Sequence, residues 1–351
     1  MTENPTSPHP SSNWSSPKHV WRRLWSNAVD EFFGLMILRM ILWYRRHPPA
    51  KIGHFYDSFP GLLSGELTEF FHPLPHEVEL SERRQLRQEH DDHTIWDLEF
   101  PSLISTNAGG NDIVRARWWS GNEGPTKRCV VGADGVVQVH AHWFRQLAEH
   151  LNPAGIDVVM MDAPFNFRRT PKGYRPGQLI LNGDLEHQLA VSRHAILDLW
   201  TLVENLQREG YEVGLVGVSF GGWMALMTSL LAKDLAFVTA VGPPVDMERL
   251  LDEGGTIVRA VRRGLGPGPL PEDTIRQAVR AVTPMHWSPL LDPQRIHLHA
   301  ATFDRFVPTA RIRELADRWQ TKFTPHPAGH MALTQKSQYI QQVADEIRTL
   351  W

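Results

Sequence analysis

The chain has 351 residues, with 36 Lys+Arg against 39 Asp+Glu and a formal net charge of −3. Apolar residues make up 42% and charged residues 21%, a globular composition and not that of a disordered or fibrous chain. No basic excess exists to release counterions from phosphate, which removes the electrostatic case for nucleic acid. The single cysteine, Cys129, excludes an internal disulfide framework and Cys-based metal clusters. One thiol fits a reducing compartment, and a cytoplasmic location is expected.

Residues 1–17 are rich in Ser, Pro and Asn without an apolar period, and read as a disordered tail. The first apolar run, Phe32 to Tyr44, spans 13 residues with Arg39 inside it. That is shorter than the about 20 residues of a membrane-spanning helix, and it comes too late for a secretory signal. Trp21, Arg22, Arg23 and Trp25 precede it; Arg45, Arg46 and His47 follow; Pro48-Pro49 ends the helix. Two roles stay open. The helix packs on the body of the protein or covers a site, or residues 21–46 make peripheral contact with a membrane surface. The charged run Glu77 to Arg84 predicts a solvated helix, and His90-Asp91-Asp92-His93 an exposed polar turn ahead of a strand. Residues 18–93 therefore read as an N-terminal helical extension.

From residue 94 the pattern is regular. Thr94 to Ile104 and Asp112 to Trp119 alternate apolar and polar residues, the period of half-buried strands, with a turn at Asn107 to Asn111. Strands follow at Cys129 to Val131, Ile156 to Met161, Val213 to Val218 and Ala236 to Val241, separated by helical stretches at about 138–151, 184–209 and 221–232. Short apolar runs alternating with helices predict parallel strands covered on both faces. The expected fold is α/β, a mostly parallel central sheet flanked by helices over residues 94–351. Residues 243–290 form an insertion whose predicted helices, at Met247 to Leu251 and Thr256 to Val261, and Gly/Pro segment, Gly264 to Pro269, suit a lid.

Gly217-Val218-Ser219-Phe220-Gly221-Gly222 sits between a buried strand and a helix. A serine aimed off a sheet edge needs a sharp strand-to-helix turn, and small residues two before and two after it let the backbones approach. A serine hydroxyl needs a base to take its proton, and an imidazole base needs a carboxylate to hold its tautomer. Asp304 follows a strand at about 295–303, and His330 follows Thr321 to Thr324 and precedes the last helical stretch. The order Ser219, Asp304, His330 is the one such a fold requires.

On these residues the sequence resembles the α/β-hydrolase superfamily over about residues 94–351. Met161 to Gly177 is similar to its ABHD-eighteen-like branch. The resemblance implies Ser219 as nucleophile, His330 as general base and acid, and Asp304 as orienting carboxylate. It implies a small-molecule acyl substrate, most often an ester; no cofactor is expected. The usual His-Gly pair after the third strand is absent, and Gly132-Ala133-Asp134-Gly135 stands in its place. The Phe220 amide is the expected first oxyanion donor; the second comes from the Asp134 to Val136 segment, with Asp134 and Gly135 the candidates. A carboxylate beside an oxyanion is unfavourable, so the Asp134 side chain is expected to point outward.

Other candidates carry simpler readings. His326 precedes a proline at a strand end, and Asp246 is the alternative acid after the Ala236 to Val241 strand. Arg168, Arg169 and Arg175 suit either an anionic substrate group or a structural network with Asp162 or Asp184. His140 with His142, and His297 with His299, alternate like strand or loop side chains, with no carboxylate at ligand spacing nearby. A non-catalytic binding or membrane-surface protein on the same scaffold is the second reading.

Overall fold

The computed structural model describes residues 17–46, 55–56, 61–121, 126–137, 139–181, 185–253 and 272–351. Nine strands form one sheet: β1 (Arg84–Glu89), β2 (His93–Pro101), β3 (Ile113–Gly121), β4 (Arg128–Ala133), β5 (Ile156–Met161), β6 (Glu212–Val218), β7 (Val238–Val241), β8 (Ile296–Ala301) and β9 (Lys322–His326). Their spatial order is β1-β2-β3-β5-β4-β6-β7-β8-β9. β1, β2 and β3 are an antiparallel meander, and β3 is also antiparallel to β5; the five pairings from β5–β4 to β8–β9 are parallel.

The strand sequences explain their layer. In β4, Cys129 and Val131 face one hydrophobic cluster with Trp118, Leu199 and Trp223, while Val130 faces the other with Phe144, Leu147 and Val158. All three are fully buried, as a parallel strand covered on both faces must be. Helices α1 (Pro17–Arg46), α2 (Leu67–Phe70), α3 (His142–Leu151), α4 (Gln178–Leu181), α5 (Leu185–Arg208) and α6 (Phe220–Ser229) precede α7 (Met247–Glu253), α8 (Glu272–Arg280), α9 (Thr309–Trp319), α10 (His330–Gln335) and α11 (Ser337–Leu350). The chain leaves β4 towards β5 on one side, whereas β6 pairs on the other. Open α/β sheets bind ligands at such a switch point, beyond the strand C-termini. Here that edge holds Ala133, Asp134 and Ser219.

Two expectations are corrected. Glu77 to Arg84 is not a helix: Ser81–Arg83 is a single 3-10 turn and Arg84 opens β1. The sheet therefore begins at Arg84 and not at Thr94, and the segment read as a helical extension contributes an edge strand. Beyond Arg84, β1 exposes every side chain, so no apolar alternation marks it in the sequence. The residues read as a disordered tail, apart from Pro17, lie outside the described residues. So do Thr256 to Val261 and Gly264 to Pro269 of the lid-like insertion, and Asp184. Among the described residues no helix is long and apolar enough to cross a membrane.

α1 is seated on a narrow polar strip. Ser26, Asp30 and Gly34, four residues apart, are buried among its described side chains, while Trp21, Leu24, Trp25, Phe32 and Leu35 are exposed. Its spacing of small residues lets it approach α10, where a Cβ on Gly329 would lie 2.8 Å from Asp30 Oδ2.

β4 and β6 are pressed together at Gly132, where an added Cβ would lie 1.6 Å from the carbonyl oxygen of Val216. Gly132→Ala should cost about 1–3 kcal/mol of stability through overpacking, read as a lower urea midpoint. An unchanged midpoint would show that the two strands can spread.

Candidate active site

Ser219 stands between β6 and α6 with φ 53° and ψ −116°, a conformation strained for a residue with a Cβ. Its amide donates to the Val241 carbonyl at 2.7 Å, and its carbonyl accepts from the Trp223 amide at 3.0 Å. The neighbouring glycines make the turn feasible. A Cβ on Gly217 would lie 2.0 Å from the Gly221 carbonyl oxygen, and one on Gly221 would lie 1.8 Å from that of Ala133. The Phe220 amide opens α6, among the first amides that have no intrahelical acceptor.

His330 begins α10 directly after β9. Its Nε2 lies 3.0 Å from Ser219 Oγ, and its Nδ1 lies 2.7 Å from Asp304 Oδ2. The other Asp304 oxygen accepts the amides of Phe306 and Val307, each at 2.8 Å, so the loop after β8 fixes the carboxylate. The Asp304 and His330 side chains are almost wholly buried. With Nδ1–H donating to Asp304, Nε2 is left as the acceptor for the Ser219 hydroxyl. The structure thus brings Ser219, Asp304 and His330 into one hydrogen-bonded chain. Burial disfavours protonated His330, but the Asp304 carboxylate beside it, its hydrogen bond and Asp30 outweigh this and raise its pKa. A raised pKa stabilises the fold fully below the ordinary imidazole value and loses that contribution as pH rises through the folded one.

Asp30, on α1, was not singled out in the sequence. Fully buried, it accepts the His330 amide at 2.8 Å, the Met331 amide at 3.0 Å and the Arg305 amide at 3.3 Å. One carboxylate therefore caps the helix that carries His330 and anchors the residue after Asp304. Burial pushes its own pKa up, with the two amides of α10 opposing. No local pattern could have announced a contact across 300 residues.

A cavity of about 540 Å³ reaches Ser219 and His330. Its apolar wall includes Phe33, Met36 and Ile37 of α1, with Val136, Val139 and Phe306. Asp134 also lines it, contrary to the outward orientation expected. The Asp134 carboxyl is buried and accepts the Gly135 amide at 2.7 Å, so that amide is not free for a ligand. The geometry of a short turn decides this: an Asp side chain readily takes a nearby amide that the sheet no longer pairs. Burial pushes the Asp134 carboxyl up to about 6, against the Gly135 hydrogen bond and His140.

The alternative site residues lie elsewhere. Asp246 accepts the Arg249 amide at 3.0 Å at the start of α7, and His326 Nε2 sits 2.9 Å from His299 Nδ1. Arg168 pairs with Asp162 at 2.7 Å and with Asp97 at 2.6 Å, and Arg169 pairs with Asp198 at 2.8 Å, which makes these two arginines structural. Arg175 is exposed.

A second Ser/His/Asp group exists beneath the Arg169 loop. Ser102 Oγ lies 2.5 Å from Asp198 Oδ1 and 3.0 Å from His194 Nε2, while His194 Nδ1 lies 3.0 Å from the Tyr56 hydroxyl. Arg169 Nη2, which can only donate, is 2.9 Å from the same His194 Nε2. Asp198 Oδ2 lies 3.1 Å from that same nitrogen, so the serine, the guanidinium and the carboxylate all converge on Nε2, and among the described residues no carboxylate holds Nδ1. Burial opposes ionisation of Asp198, yet His194 and Arg169 hold its carboxyl down at about 2. This is a buried ion-pair network and not a proton relay.

The sheet, its switch point and the position of Ser219 are those of an α/β-hydrolase fold. More particularly, residues 111–252 match the family model described as "Alpha/beta hydrolase domain containing 18", a span that includes Ser219 and ends before Asp304 and His330. No curated protein matches the sequence. Among solved structures, acetyl xylan esterase 1 from Thermoanaerobacterium sp. JW/SL YS485 is 17% identical, with TM-score 0.55, over 84% of this chain and 99% of that one. An acetyl xylan esterase from Paenibacillus sp. R4 is 14% identical, with TM-score 0.57, over 80% and 99%. A cold-adapted esterase from an Arctic intertidal metagenomic library is 17% identical, with TM-score 0.51, over 76% and 98%. At these identities the likeness is one of fold.

Asp30→Ala leaves three amides without their acceptor and should cost about 1–3 kcal/mol. It should also lower the pH at which His330 titrates, followed by NMR of the imidazole protons. A His330 midpoint that stays put or rises would contradict the electrostatic coupling.

Proposed function

We propose that the protein is a serine hydrolase that cleaves a carboxylic ester through an acyl-enzyme on Ser219. The observation that carries this reading is the chain Ser219–His330–Asp304, with spacings of 3.0 and 2.7 Å, at the wall of an apolar cavity. His330 Nε2 takes the proton as Ser219 Oγ attacks the carbonyl carbon. The ester oxygen then leaves as an alcohol, carrying the proton that His330 returns. Water enters by the reverse route, with His330 again as base, and releases the acid and Ser219. Asp304 holds the tautomer and stabilises the imidazolium formed in each half.

The Phe220 amide at the start of α6 serves as the first oxyanion donor, supported by the helix dipole. With Gly135 engaged by Asp134, the second donor falls to the Asp134 or Val136 amide. The lining by Phe33, Met36, Ile37, Val136 and Val139 favours an apolar acyl group over a sugar or a charged one.

A fluorophosphonate probe should label the wild type and neither Ser219→Ala nor His330→Ala. Ester hydrolysis should rise with pH as His330 loses its proton, with a midpoint above the about 6.5 of free imidazole. Failure to label folded wild type would sink the acyl-enzyme mechanism and leave the non-catalytic scaffold in front.

We also propose peripheral membrane contact through residues 21–46. Trp21 and Trp25 are 72% and 69% exposed, beside Arg22 and Arg23, on the helix that also lines the cavity through Phe33, Met36 and Ile37. Sedimentation with anionic phospholipid vesicles should fall several-fold in Trp21→Ser/Trp25→Ser. Equal sedimentation of the two proteins would remove α1 as the contact.

A further inference from the structure

His297 and His299 lie two apart on β8 and so point to the same face of the sheet, where α11 crosses with Glu346. One ligand atom from each of these three residues can be chosen so that all lie within 4.8 Å of one another. His299 is 2% exposed, and its Nε2 stands 3.3 Å from Glu346 Oε2. His297 Nδ1 is in contact with Glu346 Oε1. None of His297 Nδ1, His299 Nε2 and Glu346 Oε1 has a hydrogen-bond partner in proper alignment, although all three are buried. Burial raises the Glu346 carboxyl, yet charge contact with the two imidazoles holds it down at about 2. The converging atoms are nonetheless out of hydrogen-bond alignment, which leaves part of their desolvation uncompensated.

The remaining ring nitrogens explain the convergence. His297 Nε2 lies 2.7 Å from Thr324 Oγ1, and His299 Nδ1 lies 2.9 Å from His326 Nε2, both partners on β9. If those nitrogens carry the protons, His297 Nδ1 and His299 Nε2 present bare lone pairs to a carboxylate, which is repulsive unless a cation lies between them. An imidazole that donates through one nitrogen and coordinates through the other is the usual arrangement at a metal. Two ligand atoms each about 2.0 Å from a tetrahedral zinc ion stand about 3.3 Å apart, the separation of His299 Nε2 and Glu346 Oε2.

We propose that His297 Nδ1, His299 Nε2 and a Glu346 carboxylate oxygen bind one divalent transition ion of the zinc class, with Thr324 and His326 orienting the two imidazoles. None of the three ligands lines the cavity at Ser219. The ion's role is structural. It ties α11 to β8, the strand that runs into Asp304, and through His326 to β9, the strand that runs into His330. The reading does not depend on the activity assigned to Ser219.

The test uses the full-length protein, stripped with a chelator, dialysed and titrated with Co²⁺ and then Zn²⁺. The expected result is one equivalent of Co²⁺ with the visible bands of a four-coordinate ion, displaced by Zn²⁺, and a rise in Tm with either metal. Glu346→Gln and His299→Gln should weaken Zn²⁺ binding at least about 10-fold and abolish the Tm rise. The pair His90→Ala/His93→Ala, in the turn between β1 and β2, should change neither. Should Glu346→Gln not fold, His297→Gln supplies the same comparison. Absence of saturable binding by the wild type, binding unchanged in the folded ligand variants, or its loss in the His90/His93 variant would each overturn the site.

Discussion

Three backbones meet at the end of β6 with no room for a side chain at Gly217 or Gly221. That crowding holds the turn in which Ser219 adopts φ 53°, and everything proposed for the site follows from it. The approach of α6 to β4 aims the serine past the sheet edge, starts a helix beneath it, and sets it where the loops after β8 and β9 can reach it. A wider turn would relieve the strain and misplace the hydroxyl. The cost of the strained serine is met by the packing of a buried helix, α6, whose residues from Gly221 to Ser229 are all buried.

Two carboxylates secure the other side. Asp304 binds the His330 ring, and Asp30 binds the backbone of the same residue and of Arg305. Their combined charge favours the protonated imidazole, which suits a base that must hold a proton briefly and return it. Because Asp30 belongs to α1, the N-terminal helix is part of the site's framework as well as its wall. Its exposed tryptophans and its cavity-lining residues sit on one helix, so a surface that binds α1 lies close to the cavity.

The sequence made much of this legible. Parallel strands buried on both faces leave runs such as Ile156 to Met161, and the glycine spacing around Ser219 has a steric cause visible in the letters. Asp304 and His330 could be located because each follows a strand in the order the fold imposes. What stayed hidden depends on contacts between distant segments. Asp30 meets His330 across 300 residues, and Glu346 meets His297 and His299 from a different element. Reading those histidines without Glu346 left no carboxylate at ligand spacing. β1 escaped because an exposed edge strand of charged residues has no apolar period. Asp134 departs from the outward orientation because its carboxyl takes the next amide in its own turn, a choice of local geometry that residue type alone does not fix.

The central claim is that Ser219 becomes acylated, and mass spectrometry of the protein quenched in acid shortly after mixing with a p-nitrophenyl ester tests it most directly. The account predicts a mass increase equal to the acyl group, located on the peptide that contains Ser219 and missing from Ser219→Ala. A burst of p-nitrophenol with no acylated protein, or an acyl group on a different residue, would contradict it.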